Sequence, residues 1–97
     1  ESSEAAAKRE LEEETGYISK ELIYMGEYYM NQGISSAKCE LFFAKCTEKR
    51  EKQLEKTEFV RTKLIPISQF HELIYNNQFK LLIGIAGWYK AKYMRLV

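Results

Sequence analysis

The sequence predicts an α/β protein of the α+β kind, in which one helix precedes the strands and two helices follow them. Residues 3–15 are acidic and alanine-containing and end at Gly16, which is typical of a capped helix. Residues 22–30 and 38–46 are rich in aromatic and β-branched residues, as strands are. Apolar residues recur at helical spacing through residues 79–95, which predicts a closing helix.

The composition is that of one small globular domain. The 97 residues are 45% hydrophobic and 13% aromatic, which excludes a disordered chain. The net charge is +1, so we expect neither a nucleic acid nor a membrane as partner. The most apolar stretch, Leu81–Tyr89, is too short to span a bilayer. Charge is nevertheless uneven, since residues 1–14 are mainly acidic and residues 45–63 mainly basic, which suits an anionic, phosphate-bearing ligand.

The two cysteines do not indicate a disulfide framework or a zinc site. Cys39 and Cys46 are few and lack zinc-type spacing. We expect them to be small buried apolar groups in a reduced, cytoplasmic protein.

The first two elements have clear local signals. Ser2 and Ser3 are candidate N-caps of a helix that runs from near Ser3 to near Thr15, and Gly16 can adopt the positive φ that closes it. Leu22–Met30 is then predicted to be a strand, in which Gly26 predicts a bulge.

Two further strands are predicted beyond a turn at residues 31–33. The first is Lys38–Cys46, whose residues 41–44 are apolar on both faces, and burial of both faces would make this strand central. The polar segment Thr47–Lys56 is predicted to be a loop. Phe59–Ile65 is predicted to be a third strand, ended by Pro66.

Two helices complete the prediction. Ser68 is expected to cap a helix that ends near Tyr75, where Asn76 and Asn77 break it. The last helix is expected from about Phe79 to about Arg95. Its buried face would contain Leu82, Ile85 or Ala86, Tyr89, Tyr93 and Leu96.

The acidic cluster on the first helix is the strongest chemical signal. Glu10 lies three and four residues before Glu13 and Glu14, so the three side chains are neighbours and repel one another. A divalent cation would relieve this repulsion, because Mg²⁺ prefers oxygen ligands and often binds a few carboxylates together with substrate phosphates. The alternative is an acidic helix face exposed to solvent.

The order of these residues resembles the Nudix box, G-x5-E-x7-R-E-U-x-E-E-x-G-U, where U is an aliphatic or other apolar residue. Arg9-Glu10-Leu11-Glu12-Glu13-Glu14-Thr15-Gly16-Tyr17 matches its second half, and Glu1 stands at its first glutamate. The opening glycine would precede residue 1. We therefore expect residues 1–97 to be the C-terminal portion of a single Nudix hydrolase domain, without its first strands.

The resemblance implies a fold, a reaction and a metal site. The Nudix fold is an α/β/α sandwich around a mixed sheet, and its enzymes hydrolyse a nucleoside diphosphate linked to another group. Glu10, Glu13 and Glu14 would ligate Mg²⁺, with Mn²⁺ as an alternative, and Glu13 would share the ligation or act catalytically through water. Arg9 would orient a glutamate, and Glu1 would assist the metal site.

Beyond the box the chain looks most like the ADP-ribose pyrophosphatase branch. The match implies ADP-ribose or another nucleoside diphosphate sugar as substrate, AMP and ribose 5-phosphate as products, and a homodimer. The segments that carry this resemblance are Gly33–Ser36, Leu41–Ala44, Glu58–Val60 and Leu64–Pro66.

In that branch a glutamate on a mobile loop serves as general base or as an extra metal ligand. Glu58 takes this position and Glu55 is the second candidate, although Glu58 could simply solvate the end of a loop. The chain departs from the branch at Gln32, where relatives have proline, and in a basic rather than acidic loop.

Other readings stay open. The substrate could be a dinucleoside polyphosphate or a nucleoside triphosphate, or the chain could be a non-catalytic Nudix-like module that binds a nucleotide or a protein. His71 is expected to be structural and Arg61 to be solvated. Core packing is expected, rather than stacking on a base, for Trp88, Tyr28, Tyr29 and Tyr89.

Overall fold

The computed structural model describes residues 1–31, 33, 36–54, 59 and 61–97. These residues form helix α1 (Ser3–Thr15), strands β1 (Tyr17–Tyr29) and β2 (Lys38–Lys49), and helices α2 (Ile67–Tyr75) and α3 (Leu82–Tyr93). The predicted α+β class is confirmed. The chain divides into two compact units, Glu1–Thr62 and Lys63–Val97, which are described separately.

Helix α1 has the predicted bounds because both of its ends carry local signals. The Ser2 hydroxyl accepts a hydrogen bond from the Ala5 N–H at 3.1 Å, which satisfies one free donor of the first turn. At the other end Gly16 adopts φ 81° and donates its N–H to the Glu12 carbonyl at 2.7 Å.

Strands β1 and β2 form an antiparallel hairpin that extends from the pair Tyr17–Lys49 to the pair Tyr29–Lys38. Both strands are longer than predicted, since β1 begins at Tyr17 instead of Leu22 and β2 continues to Lys49 instead of Cys46. Polar residues continue the ladder because an antiparallel sheet tolerates one face in water. A register shift between Tyr24 and Gly26 confirms the predicted bulge.

The central position expected for β2 does not appear in the described residues. Residues 41–44 are only half-buried, and β1 is the strand with which β2 pairs there. The predicted third strand, Phe59–Ile65, is wrong for its described residues, which lie in no strand and include the largely exposed Phe59 and Leu64. Val60 lies outside the described residues. β-Propensity reflects packing on a sheet, so it cannot form a strand without a neighbour.

Little of the first unit is fully buried. Met25 is its buried apolar side chain, and Tyr24 and Phe42 lie with ring centroids 5.4 Å apart. Core positions were predicted for Tyr28 and Tyr29, but both are exposed. The Tyr28 hydroxyl instead donates to the Met25 carbonyl at 2.7 Å.

The cysteine prediction holds in neither case. Cys39 is half-buried and Cys46 is exposed, and both are free thiols. Cys46 lies in the polar end of β2, beyond the apolar residues 41–44, where the strand is exposed.

In the second unit, helix α2 begins two residues earlier than predicted. Pro66 is at the N-cap position and Ser68 lies inside the helix, so the expected serine cap is wrong. Proline fixes a φ suited to a helix start, which explains the shift. The predicted break is confirmed, because α2 ends at Tyr75 and Asn77 adopts φ 59°.

Helix α3 is shorter than predicted at both ends. Phe79 lies outside it because its ring packs edge-on against Phe70, with centroids 4.8 Å apart. At the C-terminal end Arg95 adopts φ 59° and the Leu96 N–H donates to the Ala91 carbonyl at 2.9 Å, which closes the helix.

The buried face predicted for α3 is wrong. Leu82, Tyr89 and Tyr93 are exposed, and Ala91 is the buried residue of the helix. Trp88 does pack, with its ring 4.9 Å from that of Phe70. Apolar residues surround the whole of α3, so spacing alone could not identify the covered face. No helix in the described part of the chain combines the length and apolarity needed to cross a membrane.

Candidate functional site

The guanidinium of Arg9 connects two glutamates on and before α1. Its Nε and Nη2 donate to the two carboxylate oxygens of Glu1, each at 2.9 Å. Its Nη1 donates to Glu13 Oε2 at 3.1 Å. A planar guanidinium matches a carboxylate in this two-bond geometry, so Arg9 is fixed in orientation by Glu1 and in turn positions Glu13.

These contacts shift the proton affinities of the pair. The hydrogen bond from Arg9 holds the pKa of Glu1 below its usual range, and the charge of Arg9 adds to this effect. The hydrogen bond to Glu1 likewise raises the pKa of Arg9 above its usual range. Both groups are therefore charged at neutral pH.

The carboxylate of Glu10 is held much more loosely. It lies 3.8 Å from Arg9 Nη2, and its side chain is 61% exposed. Glu14 follows one helical turn later and is half-buried. Arg9 thus makes its short contacts to Glu1 and Glu13, while Glu10 keeps oxygens available for another ligand.

The carboxylates of Glu10 and Glu14 are oxygen ligands of the type that Mg²⁺ prefers. Within the described residues, no group of three or more His, Cys, Asp or Glu side chains is arranged to hold a metal. Mg²⁺ does not require three, because it commonly uses one or two carboxylates with waters and substrate phosphates. The exposed carboxylate of Glu10 and that of Glu14 therefore fit this ion.

Glu12 has a different environment from its neighbours. Its carboxylate lies 3.6 Å from Arg50 Nη1, and its side chain is 41% exposed. Arg50 also lies 3.7 Å from Glu48. Glu12 thus pairs with the segment after β2, away from the Arg9 contacts.

Two backbone hydrogen bonds tie that segment to the end of α1. The Arg50 N–H donates to the Gly16 carbonyl at 2.6 Å, and the Gln53 N–H donates to the Glu13 carbonyl at 2.8 Å. The second bond satisfies one of the carbonyls that every helix leaves free in its last turn. The predicted bases that follow, Glu55 and Glu58, lie outside the described residues.

A cleft of about 380 Å³ lies between α1 and the hairpin. Glu10 and the small residues before it on α1 form one wall, and Glu27, Lys38, Glu40 and Phe42 form the other. We call this space the α1–hairpin cleft. Its hairpin residues were not predicted from the sequence, although Lys38, Glu40 and Phe42 alternate along β2 and so share one face.

The remaining candidate residues make contacts of other kinds. His71 is exposed on α2, and Arg61 lies 5.7 Å from the ring centroid of Phe59. The Nε1 of Trp88 is buried without a hydrogen-bond partner among the described residues.

Comparison with known proteins identifies the pattern on α1. The family model described as the NUDIX domain matches residues 1–83, which include α1, the hairpin and α2. A search of the curated proteins finds no match.

Proposed function

Because the chain belongs to the NUDIX domain family, we propose that it hydrolyses the pyrophosphate bond of a nucleoside diphosphate sugar in an Mg²⁺-dependent reaction. ADP-ribose, cleaved to AMP and ribose 5-phosphate, is the first substrate to test. We also propose that the protein is a cytoplasmic homodimer with no nucleic-acid or membrane partner. Sedimentation of the purified protein tests whether it is a dimer.

One observation supports the reaction above the others. Arg9 bridges Glu1 and Glu13 by three hydrogen bonds of 2.9–3.1 Å and leaves Glu10 with only a contact of 3.8 Å. Arg9 therefore fixes the carboxylates of Glu1 and Glu13. The carboxylates of Glu10 and Glu14 are left for a cation.

In the proposed reaction, different glutamates would bind the metal and activate the water. Glu10 and Glu14 would hold Mg²⁺, which when bound neutralises charge that develops on the phosphoryl oxygens. Arg9 holds Glu13 beside them. A glutamate that follows the Gln53 anchor, Glu58 or Glu55, would position and deprotonate the attacking water.

Replacement of a single carboxylate by its amide tests the metal assignment. Glu14→Gln keeps the size of the side chain and removes its charge, so we expect turnover of ADP-ribose to fall roughly 10²–10³-fold, as when one electrostatic group is removed from an active site. Glu12→Gln is the matched control, because Glu12 lies on the same helix but pairs with Arg50. We expect it to retain most of the activity, and circular dichroism checks that both variants fold.

The products distinguish the alternatives. ADP-ribose cleavage yields AMP and ribose 5-phosphate, whereas cleavage of a nucleoside triphosphate yields pyrophosphate, and chromatography separates these. Full turnover by the Glu14→Gln variant would show that the metal assignment is wrong. Calorimetric binding of ADP-ribose with Mg²⁺ but without cleavage would instead establish a binding module.

A further inference from the structure

We propose that the α1–hairpin cleft binds the distal sugar of the substrate through the carboxylates of Glu27 and Glu40, with Phe42 as its apolar wall. This inference rests on the proposed function, because it takes the substrate to be a nucleotide sugar. It assigns a binding role to hairpin residues that lie outside the acidic motif of α1.

The two carboxylates face each other in an arrangement that costs stability. Glu27 and Glu40 are direct partners in the β1–β2 register, and like charges placed opposite each other destabilise a sheet. Lys38 offsets one of them, with its Nζ 3.3 Å from Glu27 Oε1. Glu40 makes no side-chain hydrogen bond or ion pair with any described residue, so its oxygens are available to a ligand.

The charge of the cleft selects the kind of ligand. Three carboxylates, those of Glu10, Glu27 and Glu40, line it against the single ammonium of Lys38. A free phosphate would be repelled from the Glu27–Glu40 end. Ionised carboxylates only accept hydrogen bonds, and vicinal sugar hydroxyls donate them.

The size and the aromatic wall agree with one sugar ring. A volume of about 380 Å³ is near the lower limit of small-molecule sites, which is too small to enclose a whole nucleotide sugar. Phe42 is half-buried and in contact with Tyr24, with ring centroids 5.4 Å apart. Burial raises the pKa of Tyr24, and the charges of Glu40 and Glu27 add to this rise.

The position of Glu10 links this cleft to the reaction. Glu10 is a proposed metal ligand and also lines the cleft. A pyrophosphate held by metal at Glu10 would therefore have its sugar directed toward Glu27 and Glu40. The cleft would then select which group may be attached to the diphosphate.

The test is a charge-neutral replacement with a control on the same hairpin. Glu40→Gln preserves shape, removes the charge and turns one acceptor into a donor. Glu21→Gln is the control, since Glu21 pairs with Lys45 at 3.6 Å and does not line the cleft. Binding of ribose 5-phosphate with Mg²⁺ is followed by the NMR signals of the Phe42 ring, and KM and kcat for ADP-ribose are measured in parallel.

We expect Glu40→Gln to weaken ribose 5-phosphate binding about ten- to a hundredfold, as loss of hydrogen bonds to a charged acceptor does. It should raise KM for ADP-ribose by a similar factor with kcat little changed. Glu21→Gln should bind and turn over as the wild type does.

The outcomes separate this inference from the proposed function. Turnover with the same KM in wild type and Glu40→Gln would overturn the sugar site while the hydrolase stands. Ribose 5-phosphate binding that depends on Glu40, without turnover of any nucleotide sugar, would support the site and refute the hydrolase. A cleft that binds a diamine such as putrescine and not ribose 5-phosphate would overturn the inference.

Discussion

Replacement of Gly16 by alanine should damage the junction between α1 and the hairpin more than any other glycine-to-alanine change with the same backbone strain. Gly16 adopts φ 81°, and a Cβ there would overlap the carbonyl oxygen of Arg50. The Arg50 N–H also donates a hydrogen bond to the Gly16 carbonyl. The backbones at Gly16 and Arg50 therefore cannot move apart to make room for the Cβ without losing this bond. Gly33 is the matched control, because it adopts φ 83° and no atom of the described residues lies within 4 Å of the added Cβ.

The expected loss in the free energy of unfolding has two contributions. A non-glycine residue in the left-handed region costs about 1–2 kcal/mol, and Gly33→Ala should lose only this amount. Gly16→Ala should lose a further ~1–3 kcal/mol, which is the typical cost of forcing extra atoms into occupied space. The expected loss in free energy of unfolding is therefore about 2–5 kcal/mol for Gly16→Ala.

Thermal unfolding followed by circular dichroism measures the difference. In a chain of this size about 1 kcal/mol corresponds to roughly 4–8 °C in Tm, so the two variants should be clearly separated. Equal Tm values for Gly16→Ala and Gly33→Ala would refute the reasoning, because backbone strain alone would then explain both losses.

Three further changes test other contacts. Ser2→Ala removes the N-cap acceptor and should lower the free energy of unfolding by about 1 kcal/mol, measured by urea denaturation, and no loss would show that the cap bond is unimportant. Because Arg9 lowers the pKa of Glu1, the pair should stabilise the fold above the ordinary glutamate pKa and lose this effect as pH falls through the lowered value. Arg9→Gln should return the Glu1 pKa to its ordinary range in an NMR titration, and an unchanged value would contradict the assigned cause. Trp88→Phe keeps an aromatic ring and removes a buried donor without a partner among the described residues, so thermal stability should change by less than about 1 kcal/mol. A larger loss would contradict this expectation, because it would mean that the indole stabilises the unit through its packing on Phe70 or through a bonded N–H.

The sequence was sufficient where a single segment carries its own signals. Helix α1 was predicted at both ends, because Ser2 and Gly16 act on backbone groups within the same few residues. The proposed metal ligands are likewise spaced along one helix, so their adjacency follows from helical periodicity.

Features that depend on a distant partner could not be predicted in this way. The polar ends of β1 and β2 are strands because they pair with each other, and α3 starts late because Phe79 contacts Phe70. The pairing of Glu27 with Glu40 depends on the register, which the bulge between Tyr24 and Gly26 shifts. The pairing of these two residues is therefore defined only once the hairpin has formed.

The backbone hydrogen bonds that attach residues 50–53 to the end of α1 affect how the sequence of this segment can evolve. Both bonds, Arg50 N–H to the Gly16 carbonyl and Gln53 N–H to the Glu13 carbonyl, involve only main-chain atoms. Substitutions in this segment, proline aside, can therefore alter its charge without removing its anchor points. Selection can act on the electrostatic character of the segment while its placement beside the acidic helix is inherited unchanged.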